Sequence, residues 1–557
     1  METTAIKKGH PYALYVLFFT EMWERFGYYL MIGIFFLYLV DPASNGGKGF
    51  DNAHAADIVG TYIALVYLTP FIGGLLADRY LGYRRAIIIG ASMMGIGYFS
   101  LALPGLTTMY LAMACIIIGN GMFKPNISTL LGNIYNADDL KAKKDSAYGI
   151  FYMGINIGAF VCNFVAAYLR HKYGWGYAFS AAGVGMAIGL IWFMAGMKHV
   201  KVGDVKKPLQ KEDMPISRIL GYVFLPAIVT AIIGWNVSSI VGHTIFGTQS
   251  NDAFMFACLP IIIFYLGLYF RATKEDKRGL GALLAFFAVS IVFWVIYNQN
   301  STALTIWAET YTDRSMPKPV ENALEPFHFF QTVTTDSQKV TKIDQHFVAQ
   351  LDEKGRTIEV TGQDPYLQNL AKDKWPAPHQ PLNLISTEIY QSVNPFFIVL
   401  FTPLIAVWLF GWLRKRNKEP STPAKVGIGM FVAGFSSLFM IFAIMSTDIY
   451  LYKTSMAWIT GTYAIFTVGE LLISPIGLSL VSKLSPPRLT ALMMGAWFLV
   501  NSIAGKISGL MATFWDSFPD KKSYFMILFV AAMISGVIMF TLVKWIRTVV
   551  HEKTGSV

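Results

Sequence analysis

The sequence predicts an all-α polytopic membrane protein of fourteen helices, arranged as six, two and six. Three observations predict it. Hydrophobic residues make up 54% of the 557-residue chain and charged residues only 14%, where a soluble protein carries about a quarter charged. The apolar residues fall in blocks of about 20, the length a helix needs to cross a bilayer. The Lys and Arg behind the net charge of +11 sit in short runs between those blocks. That is a positive-inside bias and not the continuous stripe of a nucleic-acid surface, so no nucleic acid is expected as a partner.

Taken in order, the first six spans are predicted near 12–40, 54–77, 85–104, 108–132, 146–169 and 176–197. Apolar segments near 217–236 and 252–271 form a hairpin. The second set lies near 280–308, 388–413, 424–446, 456–482, 489–515 and 523–547. The chain thus divides into an N-terminal bundle (1–200), a linker with the hairpin (201–278) and a C-terminal bundle (279–557). Arg79/Arg84/Arg85, Lys141/Lys143/Lys144, Lys198 to Arg218, Arg271 to Arg278 and Arg414 to Lys418 fall on one side of this layout. The short loops of the other side hold Lys48, Arg170, Lys172, Lys453, Lys521 and Lys522. Both termini are therefore predicted to be cytoplasmic. Lys7 and Lys8 precede an apolar stretch too long for a signal h-region, and no cleavable signal peptide is expected.

Residues 309–387 break the pattern as a polar insertion on the outer face. Val340–Val360 alternates loosely, which suggests a small hairpin around Lys354-Gly355. A loop this long is functional, disordered, or a lid without chemistry. Cys115, Cys162 and Cys258 fit no metal spacing and read as small buried residues.

Ionisable residues inside a membrane are expensive and so mark candidate functional positions. Glu21, Glu24 and Arg25 project from nearly one face of the first span. Two carboxylates that can take a proton beside an arginine that cannot lose one make a proton switch. The alternative is a static ion-pair cluster. Lys124, next to Pro125 in the fourth span, needs an anionic partner: a first-span glutamate or a substrate carboxylate. Glu470 is the only carboxylate of the span near 456–482. A carboxylate of one half facing a lysine and an arginine of the other would form a bipolar cavity suited to a zwitterion such as a short peptide. Asn156 and Asn394 are candidates for holding a substrate backbone or for bonding between helices. Tyr28, Tyr29, Tyr67, Trp294 and Trp497 line side-chain pockets or simply pack, and Lys506 snorkels, pairs or marks the pathway.

Four motifs carry a family resemblance: Glu21-x-x-Glu24-Arg25-Phe26-x-Tyr28-Tyr29; Gly73-Gly74-Leu-Leu-Ala77-Asp78-Arg79-Tyr-Leu-Gly82; Phe151-Tyr152-Met-Gly-Ile-Asn156-Ile-Gly158-Ala159; and Gly469-Glu470 through Ser474-Pro475. Over nearly its whole length the chain resembles the proton-dependent oligopeptide transporter family, prokaryotic type. The resemblance implies a major facilitator fold, 6+6 transmembrane helices with a two-helix hairpin between the halves. It implies proton coupling at Glu21, Glu24, Arg25 and Lys124. It places peptide binding at Tyr29, Tyr67, Lys124, Asn156, Trp294, Asn298, Asn394, Glu470, Ser474 and Trp497, and a cytoplasmic gate at Asp78. Two departures bear on the opposite gate: Asn298 and Ile32 stand where many members carry an acidic and a basic residue. Separately, Gly60 stands where animal relatives carry a histidine.

The expectation is a proton-coupled symporter that imports di- and tripeptides by alternating access, without a cofactor and with protons as the coupling ion. It would sit in the lipid bilayer of a plasma or bacterial inner membrane and work as a monomer, since two halves already build one cavity. The rivals are a transporter of the same fold for a non-peptide anion or drug-like solute, and a sensor that does not transport. An enzyme is not expected, because the spans hold no aspartate pair, H-E-x-x-H metal pair or Ser/His arrangement.

Overall fold

The computed structural model describes residues 9–205, 215–327, 329–486 and 489–554. Lys7, Lys8 and residues 206–214 of the linker lie outside the described residues. Backbone groups in hydrocarbon must be satisfied within the segment, which selects helices. The membrane helices are α1 (Tyr12–Val40), α2 (Asn52–Leu76), α3 (Tyr83–Leu101), α4 (Leu106–Ile134), α5 (Lys144–Tyr173) and α6 (Trp175–Val200). The hairpin is α7 (Ser217–Trp235) and α8 (Gln249–Arg271). The second half is α9 (Lys274–Asn298), α10 (Thr387–Lys415), α11 (Thr422–Ser446), α12 (Met456–Leu484), α13 (Thr490–Thr513) and α14 (Lys521–Thr554). Among the described residues eleven of these meet the length and apolarity of a span. The exceptions, α1, α3 and α13, carry Glu21/Glu24/Arg25, Arg84/Arg85 and Lys506. This is a multi-pass integral membrane protein.

Local signals place the helix ends. Asp51 caps α2 by accepting from the His54 amide at 3.0 Å, and Thr248 caps α8 through the Asn251 amide at 3.1 Å. In α10 the helix widens over Pro403–Leu409, where proline supplies no amide for the preceding turn. The first half packs α1 on α5 and α6, and α4 on α2 and α3; the second packs α11 on α12 and α14. Large apolar side chains such as Ile96, Ile191, Ile263 and Trp408 point outward, as a bilayer solvent allows. Cys162 and Cys258 are buried as expected, whereas Cys115 is only partly so.

The halves meet along two seams, α2 with α13 and α5 with α10. At the first, a Cβ on Gly60 would lie 2.7 Å from Gly509 Cα, so the two backbones touch only because neither residue has a side chain. Ser502 Oγ donates to the Ala64 carbonyl at 2.7 Å across the same seam. At the second, Arg170 pairs with Glu388 at 3.0 Å and Asn163 donates to Ser392 at 3.0 Å.

The insertion is folded. β1 (Phe330–Val333) pairs antiparallel with β4 (Leu382–Ile385), and β2 (Gln338–Thr341) with β3 (Glu359–Gly362). Val333, Tyr366, Leu367, Leu370 and Leu384 form its own apolar cluster. The predicted hairpin lies inside this arrangement: Leu351 bridges Thr357 around a turn with Gly355 at φ 72°. The helical runs flanking the insertion reach Thr310 and resume at Thr387. Asn369 donates to the Ile449 carbonyl at 2.9 Å in the second half. Toward the first half, Thr357 donates to the Gly49 carbonyl at 2.6 Å, and the Ser44 amide to Glu359 at 3.3 Å. A cavity of about 420 Å³ remains beneath, lined by Asp41, Arg170, Glu309, Lys339 and Asp364 among others.

Candidate functional site

The charged turn of α1 is buried where α1 crosses α5. A Cβ on Gly158 would sit 2.3 Å from the Met22 carbonyl, so the third motif's glycine lets α5 lie directly on the helix that carries the glutamates. Glu21, Glu24 and Arg25 are each no more than 3% exposed. Arg25 grips Glu24 with two hydrogen bonds, one of them Nη2 to Oε1 at 2.5 Å, and reaches Glu21 Oε1 at 3.3 Å. Glu21 Oε2 is buried with no hydrogen-bond partner among the described residues. One carboxylate is thus fully engaged and the other only half so, and protonation of Glu21 would remove the weaker of Arg25's two contacts.

Of the two partners the sequence left open for Lys124, a first-span glutamate or a substrate carboxylate, the first is not met by an ion pair. The Lys124 ammonium lies 4.1 Å over the Tyr67 ring, and no carboxylate of the described residues is within ion-pair distance. The glutamates are held by Arg25 instead. The ring's negative face partly offsets the cation and leaves it able to meet an arriving anion.

In the second half Asn394 of α10 donates to Glu470 Oε2 at 2.8 Å and to Thr467 Oγ1 at 2.9 Å. Both residues are buried, at 4% and 6% exposure. Asn394 therefore bonds between helices and presents the Glu470 carboxylate. No hydrogen bond or ion pair joins Glu470 to Arg25 or Lys124. The charges of the expected bipolar arrangement belong to different halves, Arg25 to α1 and Lys124 to α4, Glu470 to α12.

The remaining candidates divide. Asn156 and Asn298 each donate to the carbonyl one turn back in their own helices, Tyr152 and Trp294, both at 2.9 Å, so neither side chain bridges helices through that group. Trp497 stacks on Phe286 at 5.5 Å and fills the space over Gly477. Trp294 lies edge-on to Trp497 at 6.3 Å, its indole N–H buried without a partner among the described residues. Ser474 Oγ is likewise buried and unpartnered among them. Tyr28 sits under the Arg25 guanidinium at 5.0 Å. Asp78 accepts from Tyr83, and Arg84 pairs at 2.7 Å with Asp204 at the start of the linker, so neither contact reaches the second half. Lys506 pairs: it reaches Asp57 at 2.6 Å. Sequence reasoning missed Asp57, Thr467, Tyr297 and Glu388. Asp57 and Glu388 sit near helix ends, where a charge carries no signal.

The profile described as PTR2: POT family matches residues 84–333 and 382–528. The uncharacterized transporter YclF of Bacillus subtilis (strain 168) is 30% identical over 95% of this chain and 93% of its own length. The di-/tripeptide transporter of Lactococcus lactis subsp. lactis (strain IL1403) is 29% identical over 96% of each chain. The crystal structure of the peptide transporter POT in complex with sulfate superposes with a TM-score of 0.74, at 29% identity over 97% of this chain and 96% of that one. With its motifs, its fold and its buried charges in place, the chain belongs to the POT family.

Proposed function

We propose that the chain is a proton-coupled symporter importing di- and tripeptides by alternating access between its two halves. The observation that carries this reading is the division of charge. Arg25, held by one whole carboxylate and half of another, and the ring-bound Lys124 belong to one half, and the Asn394-presented Glu470 belongs to the other. A zwitterion a few bonds long has the complementary ends: its carboxylate for Lys124 and Arg25, its ammonium for Glu470. Proton uptake at Glu21 or Glu24 loosens Arg25 as the substrate carboxylate arrives, which couples proton movement to substrate movement. The names of the relatives support peptides as the substrate class.

The protein acts as a carrier and not as an enzyme, needs no cofactor besides the coupling proton, and works as a monomer. Both termini are cytoplasmic, and its bacterial relatives support the plasma membrane, the inner one in a cell with two, as its site. The seams described above are the closed outer gate. The test is uptake of labelled dialanine into proteoliposomes with and without an inward proton gradient. Accumulation abolished by a protonophore supports the reading; no uptake by correctly inserted protein refutes the peptide assignment.

A further inference from the structure

The hairpin α7–α8 lies beside the α2–α13 seam and touches both of its walls. Phe224 stacks on Phe71 of α2 at 5.9 Å. Tyr265 donates to the Leu492 carbonyl of α13 at 3.0 Å. The third contact is ionic. The Lys506 ammonium of α13 is fully buried, and its three protons are matched by three acceptors: Asp57 Oδ1 at 2.6 Å, Thr61 Oγ1 at 2.6 Å and Ser250 Oγ at 2.7 Å. Asp57 and Thr61 belong to α2, and Ser250 to the second residue of α8. The acceptors are themselves supported, since Ser250 donates to Asp57 at 2.6 Å and Thr61 to the Asp57 carbonyl at 2.8 Å.

We propose that the hairpin is a clasp on the outer gate, with Ser250 completing the shell of the Lys506–Asp57 pair that holds the two halves together. The proposal rests on the alternating-access reading. Opening the seam parts Lys506 from Asp57 and Thr61 in one movement, leaving an ammonium unpaired in the membrane, so the cluster opens and closes as a unit. Ser250 donates to Asp57 whichever way α13 moves. The hairpin therefore stays with the first half at its outer end and sets how readily Asp57 is recaptured. This assigns a task to a segment outside both six-helix bundles, and it supplies a charge pair to a gate that lacks one at Asn298 and Ile32.

The test uses the full chain in nanodiscs with Cys115, Cys162 and Cys258 replaced by alanine and Ser502→Cys added as a reporter. Ser502 is buried in the seam, so its alkylation by a membrane-impermeant maleimide proceeds at a rate set by the open population. Lys506→Gln is expected to raise that rate on the order of tenfold and Ser250→Ala about threefold, from one charged and one neutral hydrogen-bond partner lost. The exchange Asp57→Lys with Lys506→Asp should bring it back toward the parent, which a folding defect would not. An unchanged rate in Ser250→Ala overturns the hairpin's part, and an unchanged rate in both single variants overturns the clasp. The readout needs no substrate, so a failed peptide assignment leaves it intact.

Discussion

Adding one methyl group at Gly60 is a sharp probe of the seam. The new Cβ would stand 2.7 Å from Gly509 Cα, 3.2 Å from its nitrogen and 3.3 Å from the Gly505 carbonyl oxygen. All three are backbone atoms and none can rotate away. Carbon atoms pack comfortably at about 3.5–4.0 Å, so Gly60→Ala requires α2 and α13 to part by roughly 1 Å. Overpacking of this kind costs about 1–3 kcal/mol. Here it falls on the closed form alone, because the contact exists only while the seam is shut. The closed-to-open ratio should therefore drop about 5- to 150-fold. Spin labels at His54 and Asp520, exposed positions on either side of the seam, would report this by double electron–electron resonance as a longer-distance population growing at the expense of the shorter. An unchanged distance distribution in a folded Gly60→Ala protein would show that the seam does not gate the outer face.

Three other outcomes follow from the site and its surroundings. Glu21→Gln or Glu24→Gln should abolish gradient-driven peptide accumulation while sparing counterflow exchange; if both variants still concentrate peptide, the coupling assignment is wrong. Glu470→Ala should raise the peptide KM by about ten- to a hundredfold, the worth of one buried charged contact, with Asn394→Ala showing a smaller loss of the same sign. If the true solute is a simple anion, with no ammonium to meet it, Glu470→Ala leaves its uptake intact. In the loop between α10 and α11, hydrogen bonds from Arg414 and then Lys425 hold the Glu419 carboxyl down to about 2. A depressed carboxylate contributes stability that is fully present above its unfolded value and lost as pH falls through the folded one. Glu419→Gln should therefore lower the unfolding temperature at pH 7, and the difference from the parent should shrink between about pH 4.5 and 2; a constant difference across that range refutes the assignment.

What was legible in the sequence is what periodicity and membrane cost can encode. Spans announce themselves by length, and Glu21, Glu24, Arg25, Lys124 and Glu470 stand out because a charge in hydrocarbon needs a reason. Who meets whom is a different kind of information. Lys506 and its partner Asp57 are 449 positions apart, and Asp57 reads as an ordinary charge near a helix end. Lys124 calls for a carboxylate on sequence grounds, but Arg25 is four residues from one glutamate and next to the other on the same helix, and it claims both. Asn156 and Asn298 bond back along their own helices, an outcome side-chain type alone does not decide. The insertion's strands are at most four residues long, too short to carry an alternation that stands out from its loops.

The unequal attachment of the insertion has a practical consequence. It is anchored to the second half by its flanking chain, by Asn369 and by the strand pair Thr312–Asp313 with Thr454–Ser455; it meets the first half at its base, where Phe329 and Ser386 lie against Phe164 and His171 of α5, and at its tip, through Thr357 and Glu359. Whenever the halves rock, that fingertip must slide or lift from the Ser44–Gly49 loop, so the composite surface they form exists in one conformation only. An antibody fragment raised against that composite surface would read conformation from outside the cell, and by bridging the two sides of the contact it would arrest the cycle with the outer gate shut.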